Sequence, residues 1–151
     1  MIPQYSATLP ELQTWARDLM QSREPDLIIG DNYLRRWWVM PRNEWSNLYL
    51  HEINRSDDDR AMHDHPWRSK SVVISGGYFE HTPAGTFWRA AGDVVEREPE
   101  ALHRLEVVLG KPAITLFFTG PVVRDWGFLT VCGWRTWQEC SDKMPSLPGD
   151  C

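Results

Sequence analysis

With 151 residues, 42% of them hydrophobic, the chain is long enough to bury one core in a single domain (1–151) without disulfide staples. Sixteen basic against twenty-one acidic residues leave a net charge of −5, which argues against a nucleic-acid partner, and no apolar run is long enough to span a membrane. Three cysteines (Cys132, Cys140, Cys151) form no Cys-x-x-Cys pair, and the first nine residues lack the basic start and apolar centre of a secretory signal, so reduced thiols in a cytoplasmic protein are expected.

The first element is a helix. Thr8-Leu9-Pro10-Glu11 has the form of a capping box with proline in the first turn. Leu12, Trp15, Ala16, Leu19 and Met20 then recur at helical spacing, which predicts an amphipathic helix over about 9–22, closed by Pro25.

After Pro25 the period changes to that of strands. Ten short segments rich in Val, Ile, Tyr, Trp and Phe follow: 26–29, 33–40, 47–53, 61–66, 70–80, 86–90, 93–97, 101–108, 113–119 and 122–131. Turn residues separate them, among them Gly30-Asp31-Asn32, Thr82-Pro83-Ala84-Gly85 and Gly120-Pro121. Many short strands with no helix between them predict an all-β fold, an antiparallel sandwich or barrel over about 26–133. A short helix over 136–143 and an irregular tail over 141–151 complete the expectation. Nine tryptophans fit strand and interface packing better than a stacking platform.

The chemistry sits in the histidines. Side chains i and i+2 share a face of a strand, so His63 and His65 point the same way and Asp64 points to the other. His103 follows forty residues later. Folding the polar segment 54–60 into a hairpin about Asp57 would set His51 opposite His63. Four of the chain's five histidines then face one concavity, and neutral imidazole suits Zn, Fe, Ni or Cu rather than Mg or Ca. An isolated His-x-His pair is a weak signal; the third histidine and the glycines around it strengthen this one.

Those residues resemble the two motifs of the cupin superfamily. His63-Asp64-His65 is followed by Gly77 where the first motif has its glycine, and Gly92 is followed by His103 at the spacing of the second, with Pro99 between and Asp93-Val94-Val95 matching the usual opening. The resemblance covers about residues 49–119 and implies an antiparallel double-stranded β-helix, the jelly-roll barrel. It departs at three places: Lys70 stands at the first motif's glutamate, Asp57 at the glycine before the first histidine, and Val107 at the asparagine near the end of the second.

The resemblance implies a metal site of His63, His65 and His103, similar to the three-histidine branch of the cupins. His51 and Glu80 are candidates for a fourth ligand or an outer partner of the ligands, Tyr78 for a proton-transferring group, and Trp67 and Lys70 for the cavity wall. Asp57-Asp58-Asp59 reads as a hydrated turn, and Arg97 and Arg124 as solvated ion-pair formers. The functional expectation is a small-molecule enzyme with Fe2+ and dioxygenase-type chemistry. Zn2+, Mn2+ and Ni2+ are alternative ions, with Zn or Mn supporting Lewis-acid isomerisation or hydrolysis. A binding cupin that performs no chemistry is the other class, and a homodimer is a further expectation.

Overall fold

The computed structural model describes residues 7–57 and 61–141. Helix α1 spans Leu9–Ser22. Its start follows the capping box: the Glu11 carboxylate accepts the Thr8 backbone N–H at 2.7 Å and the Thr8 hydroxyl at 2.8 Å. Twelve strands follow: β1 (Leu27–Ile29), β2 (Leu34–Trp38), β3 (Asn47–Ile53), β4 (Met62–His63), β5 (Ser69–Ser75), β6 (Gly77–Thr82), β7 (Gly85–Ala90), β8 (Val94–Arg97), β9 (Arg104–Val107), β10 (Ala113–Thr119), β11 (Gly127–Thr130) and β12 (Gly133–Thr136). The short helix α2 (Trp137–Ser141) ends the described chain.

The strands form two layers. One is a six-stranded antiparallel sheet in the order β1-β2-β3-β10-β5-β8. The other comprises β12-β11-β4 and β7-β6-β9, joined where His63 and His103 exchange backbone hydrogen bonds of 2.9 and 3.0 Å. This is an all-β antiparallel fold with a helix at each end, as expected from the strand pattern.

Alternation along the six-stranded sheet sorts its side chains between two environments. Trp37, Leu48, Leu50, Ile74 and Leu116 face outward, beneath Leu12, Trp15, Ala16, Leu19 and Met20 of α1. Gln13 ties the helix down by donating to the Ile74 carbonyl at 2.9 Å. The opposite face turns Leu34, Ile53, Val73 and Ala113 against Tyr78 and Val107 of the second layer. The space between the layers also contains the candidate site.

Several boundaries differ from the sequence reading for local reasons. The segment 70–80 is two strands, because Gly76 adopts φ +67° and a Cβ there would meet the Pro112 carbonyl at 2.4 Å. The segment 61–66 pairs as a strand only over Met62–His63, and 122–131 only over Gly127–Thr130. The sequence pattern missed β12, which pairs with β11 from Gly127↔Thr136 to Thr130↔Gly133. The hairpin about Asp57 does not form: β3 lies between β2 and β10, while β4 pairs with β11 in the other layer. The chain changes sheets there instead of turning back on itself. The tail beyond residue 141 and Asp58, Asp59 and Arg60 lie outside the described residues.

One compositional expectation also changes. Cys132 is disulfide-bonded, whereas Cys140 is free and buried, so three reduced thiols is not the state in this structure. The tryptophans divide by role: Trp37 is fully buried, Trp67 and Trp126 line the central cavity, and Trp45 is 75% exposed. No helix among the described residues is long and apolar enough to cross a membrane.

Candidate metal centre

His63 ends β4, His65 follows two residues later, and His103 stands directly before β9 across the bridge. His65 is fixed in its turn: its N–H donates to the carbonyl of Pro99, the proline of the second motif, at 3.0 Å. The ring centroids form a near-equilateral triangle, with 5.1 Å between His63 and His65, 4.8 Å between His63 and His103, and 5.0 Å between His65 and His103. One nitrogen from each ring lies within 4.8 Å of the others. Asp64 turns the other way, where it accepts from Gly127 N–H and Trp134 Nε1, each at 2.8 Å, and pairs with Arg124 Nη1 at 2.8 Å.

The protonation states suit a cation. Burial, opposed by Asp57 and reinforced by His103, lowers His63 to about 4. Burial and the neighbouring histidines hold His65 well below its ordinary range. Both rings are therefore neutral near pH 7, with lone pairs available. His65 Nδ1 is buried without any hydrogen-bond partner among the described residues. Buried polar nitrogen seldom goes unpartnered. The donor set fits a divalent transition metal on these three grounds: convergence, neutrality and an orphaned lone-pair site.

Glu80 is the acid nearest the triangle. It is 2% exposed, and its Oε2 lies 2.7 Å from His103 Nδ1. That contact places the Nδ1 proton toward the carboxylate and leaves Nε2 of His103 for an ion. The same Oε2 accepts from Arg97 Nε at 2.6 Å, and Oε1 accepts from Arg89 Nε and Nη2 at 3.1 and 2.8 Å. Burial alone would raise the Glu80 pKa, but the His103 hydrogen bond and the Arg97 charge overcome it and hold the group at about 2. Arg97 completes the cluster by donating to the Ser71 and Tyr78 hydroxyls at 3.0 and 3.3 Å. Burial raises the Tyr78 hydroxyl pKa, so it keeps its proton.

The triangle forms part of the wall of a cavity of about 460 Å³ between the layers. Trp67 and Phe117, in contact at 5.4 Å, make an aromatic side, and Leu34, Ile53 and Leu105 an aliphatic one. His51 also lines it, but β3 is not paired to β4, so His51 does not face His63 as a hairpin partner. Its Nε2 instead accepts from Arg36 Nε at 2.9 Å. Burial and that arginine keep His51 neutral, well below its usual pKa.

Other assignments change. Lys70 is no part of the cavity wall: in β5 it alternates with the buried Ser69 and Ser71, is 46% exposed, and pairs with Glu96 at 3.2 Å on the outer surface. Asp57 is more than a hydrated turn. It accepts Leu105 N–H at 2.6 Å and the Tyr33 hydroxyl, and lies 3.9 Å from His63 Nδ1. Arg97 and Arg124 are committed to the buried acids Glu80 and Asp64 rather than solvated. Arg36, in the mixed basic and aromatic run Arg35-Arg36-Trp37-Trp38, was not among the expected site residues. Strand alternation could have separated Arg36 from Arg35, had the inward face of β2 been known.

No protein-family model matches the sequence, and no curated protein is significantly similar to it. Solved structures do match in fold. A protein with a double-stranded β-helix domain from Klebsiella pneumoniae superposes with a TM-score of 0.53 at 16% identity, over 83% of this chain and 97% of that one. A cupin superfamily protein from Desulfitobacterium hafniense gives 0.53 at 12% identity, over 80% of this chain and 94% of that one. The polyketide cyclase RemF from Streptomyces resistomycificus gives 0.52 at 16% identity, over 65% and 69% of the two chains. The second and third of these carry different names on one architecture, so the likeness establishes a fold and leaves the activity to the site. The chain thus has the double-stranded β-helix fold of the cupins.

Proposed function

We propose that the chain is a metal-dependent enzyme that holds a divalent ion, Fe2+ by preference, on His63, His65 and His103 and carries out a dioxygenase-type reaction on a small molecule in the cavity. The convergence of three imidazoles, two of them held neutral by burial, on the wall of a 460 Å³, largely apolar cavity carries this reading. When bound, such an ion supplies one-electron redox chemistry and Lewis acidity at positions that three protein ligands leave open. Glu80 fixes the tautomer of His103 from behind, and its own charge is consumed by Arg89 and Arg97. Trp67 and Phe117 exclude water from the bound molecule. Tyr78 retains its proton and offers a hydrogen bond, not a base.

One observation orders the alternatives. Among the described residues lining the cavity there is no Asp or Glu, and the nearest acid, Glu80, is fully engaged. Isomerisation needs a group that abstracts or shuttles a proton, and the neutral ring on this wall, His51, is engaged at Nε2 by Arg36. The same observation suits a protein that binds a ligand and performs no chemistry, and this is the second reading. The test is elemental analysis of purified protein, followed by nitric oxide addition to the anaerobic ferrous form. The enzyme reading expects one iron per chain and an iron–nitrosyl electron paramagnetic resonance signal, both lost in a His63→Ala, His65→Ala variant. A folded protein that takes up none of Fe2+, Zn2+, Mn2+ or Ni2+ overturns it.

A further inference from the structure

One guanidinium on the cavity wall meets no carboxylate among the described residues. Arg36 enters from β2 beside His51 and lines the same cavity as the three histidines. Its Nε donates to His51 at 2.9 Å, and its guanidinium lies 4.4 Å from the centroid of the Tyr49 ring. Among the described residues no carboxylate pairs with it, and Nη1 and Nη2 make no hydrogen bond. Three other arginines nearby do meet a carboxylate, two of them sharing one. Arg97 and Arg89 are held by Glu80, and Arg35, one residue away on the other face of β2, pairs with Glu52 at 2.8 Å.

A guanidinium cannot shed its proton near neutral pH. Facing aromatic and aliphatic walls, an unmatched one is expensive unless an anion meets it. His51 makes the arrangement directional. As a neutral acceptor it fixes the Nε edge of Arg36 and leaves the opposite edge, with its two outer nitrogens, open as a fork. Such a fork matches a carboxylate in a bidentate pair.

We propose that Arg36 anchors the carboxylate of a small organic acid in this cavity, with the apolar body of that acid against Trp67 and Phe117. The two donors of the fork match the two oxygens of one carboxylate, and phenyl phosphate tests whether a second anionic charge is accepted. The inference shares the cavity with the proposed function but not its ion, so it holds for metal-free protein as well.

The experiment is calorimetric titration of metal-free protein with phenylacetate, benzoate and hexanoate. Each acid is paired with its neutral primary amide, and phenyl phosphate serves as the other anion. At least one acid binds at least tenfold more tightly than its amide and than phenyl phosphate. Arg36→Gln removes that preference. Arg36→Lys, which keeps the charge but not the fork, retains only part of it, and thermal melting verifies that both variants fold. A His63→Ala, His65→Ala variant keeps the preference, which separates this assignment from the metal reading. Equal binding of acid and amide, no binding of any acid, tighter binding of phenyl phosphate, or an undiminished preference in Arg36→Gln overturns it.

Discussion

Glu80 Oε2 lies 2.7 Å from Nδ1 of His103, so this buried acid orients a ring nitrogen instead of facing the cavity. The sequence carries Lys70 where the cupin motif has its glutamate, and β5 turns that lysine outward. A carboxylate reaches the site all the same, from the next strand and in an outer position. Its two arginines make it a hub: removing its charge strands Arg89 and Arg97 as well as His103.

Glu80→Gln therefore acts on two observables at once. Outer partners of ligating histidines typically contribute 10–100-fold to metal affinity, and a drop of that size is expected in a competitive Zn2+ or Fe2+ titration. Breaking a buried ion-paired cluster costs about 3–5 kcal/mol when the partners stay buried, and Arg89 is partly solvated, so the lower part of that range is expected in urea. Unchanged affinity with lowered stability would mean that Glu80 only organises the arginines.

Stability of the metal-free protein should fall with acid. The three histidines His51, His63 and His65 all have folded-state pKa values below the ordinary 6.5, through burial first. Below pH 6.5 the unfolded chain takes up protons that the folded chain refuses, so unfolding becomes easier as pH drops. For His63 the loss levels off near pH 4, where the folded form protonates too. Each such group contributes about 1.4 kcal/mol per pH unit in this window. His51→Gln keeps an oxygen acceptor for Arg36 while removing one titrating ring. Urea unfolding at pH 7, 6 and 5 should show a slope shallower by about that amount in the variant.

The triangle itself was legible in the primary structure, because a two-residue period sends His63 and His65 together and Asp64 away whatever the topology. What surrounds it was not. Glu80 follows the Gly76-Gly77 break, which resets strand parity, so its direction depends on how β6 pairs with β7 and β9. Arg36 and Arg35 are adjacent and chemically identical; only the packing of α1 on Trp37 decides which one turns inward. The hairpin about Asp57 failed for a similar reason, since a polar turn between two strands says nothing about whether they share a sheet. Local alternation survives in the sequence, whereas layer membership is set by contacts far along the chain.

A bound ion should stabilise the fold by mass action, because the unfolded chain does not hold the three rings together. At a free metal concentration a hundredfold above Kd the gain is about 2.7 kcal/mol. For a chain of this size each kcal/mol moves Tm by about 2–4 °C. Thermal melting with saturating Zn2+, and again after EDTA, should differ by about 5–10 °C in the native sequence. The His63→Ala variant should show no difference. A shift that persists in that variant would move the ion elsewhere.

Asp64, between the two histidines, links the candidate centre to the C-terminal hairpin. Its carboxylate gathers Gly127 N–H, Trp134 Nε1 and Arg124 Nη1, all at 2.8 Å, while its own N–H donates to the Gly127 carbonyl at 3.1 Å. Gly127 permits this close seating of β11, since a Cβ there would lie 1.9 Å from the Arg135 carbonyl oxygen. Asp64→Asn retains one acceptor oxygen, but the amide nitrogen then confronts at least one of the remaining donors. Hydrogen bonds to charged groups contribute about 1.5–3 kcal/mol each, and a loss of that order is expected in urea unfolding. Trp134 loses a fixed partner, so its emission should redden under native conditions. Metal affinity should fall too, although Asp64 faces away from the ion, because the strand that aims His63 and His65 is held in place from this side. A variant with native stability and native affinity would show that β4 is positioned by its backbone pairing with β11 and His103 alone.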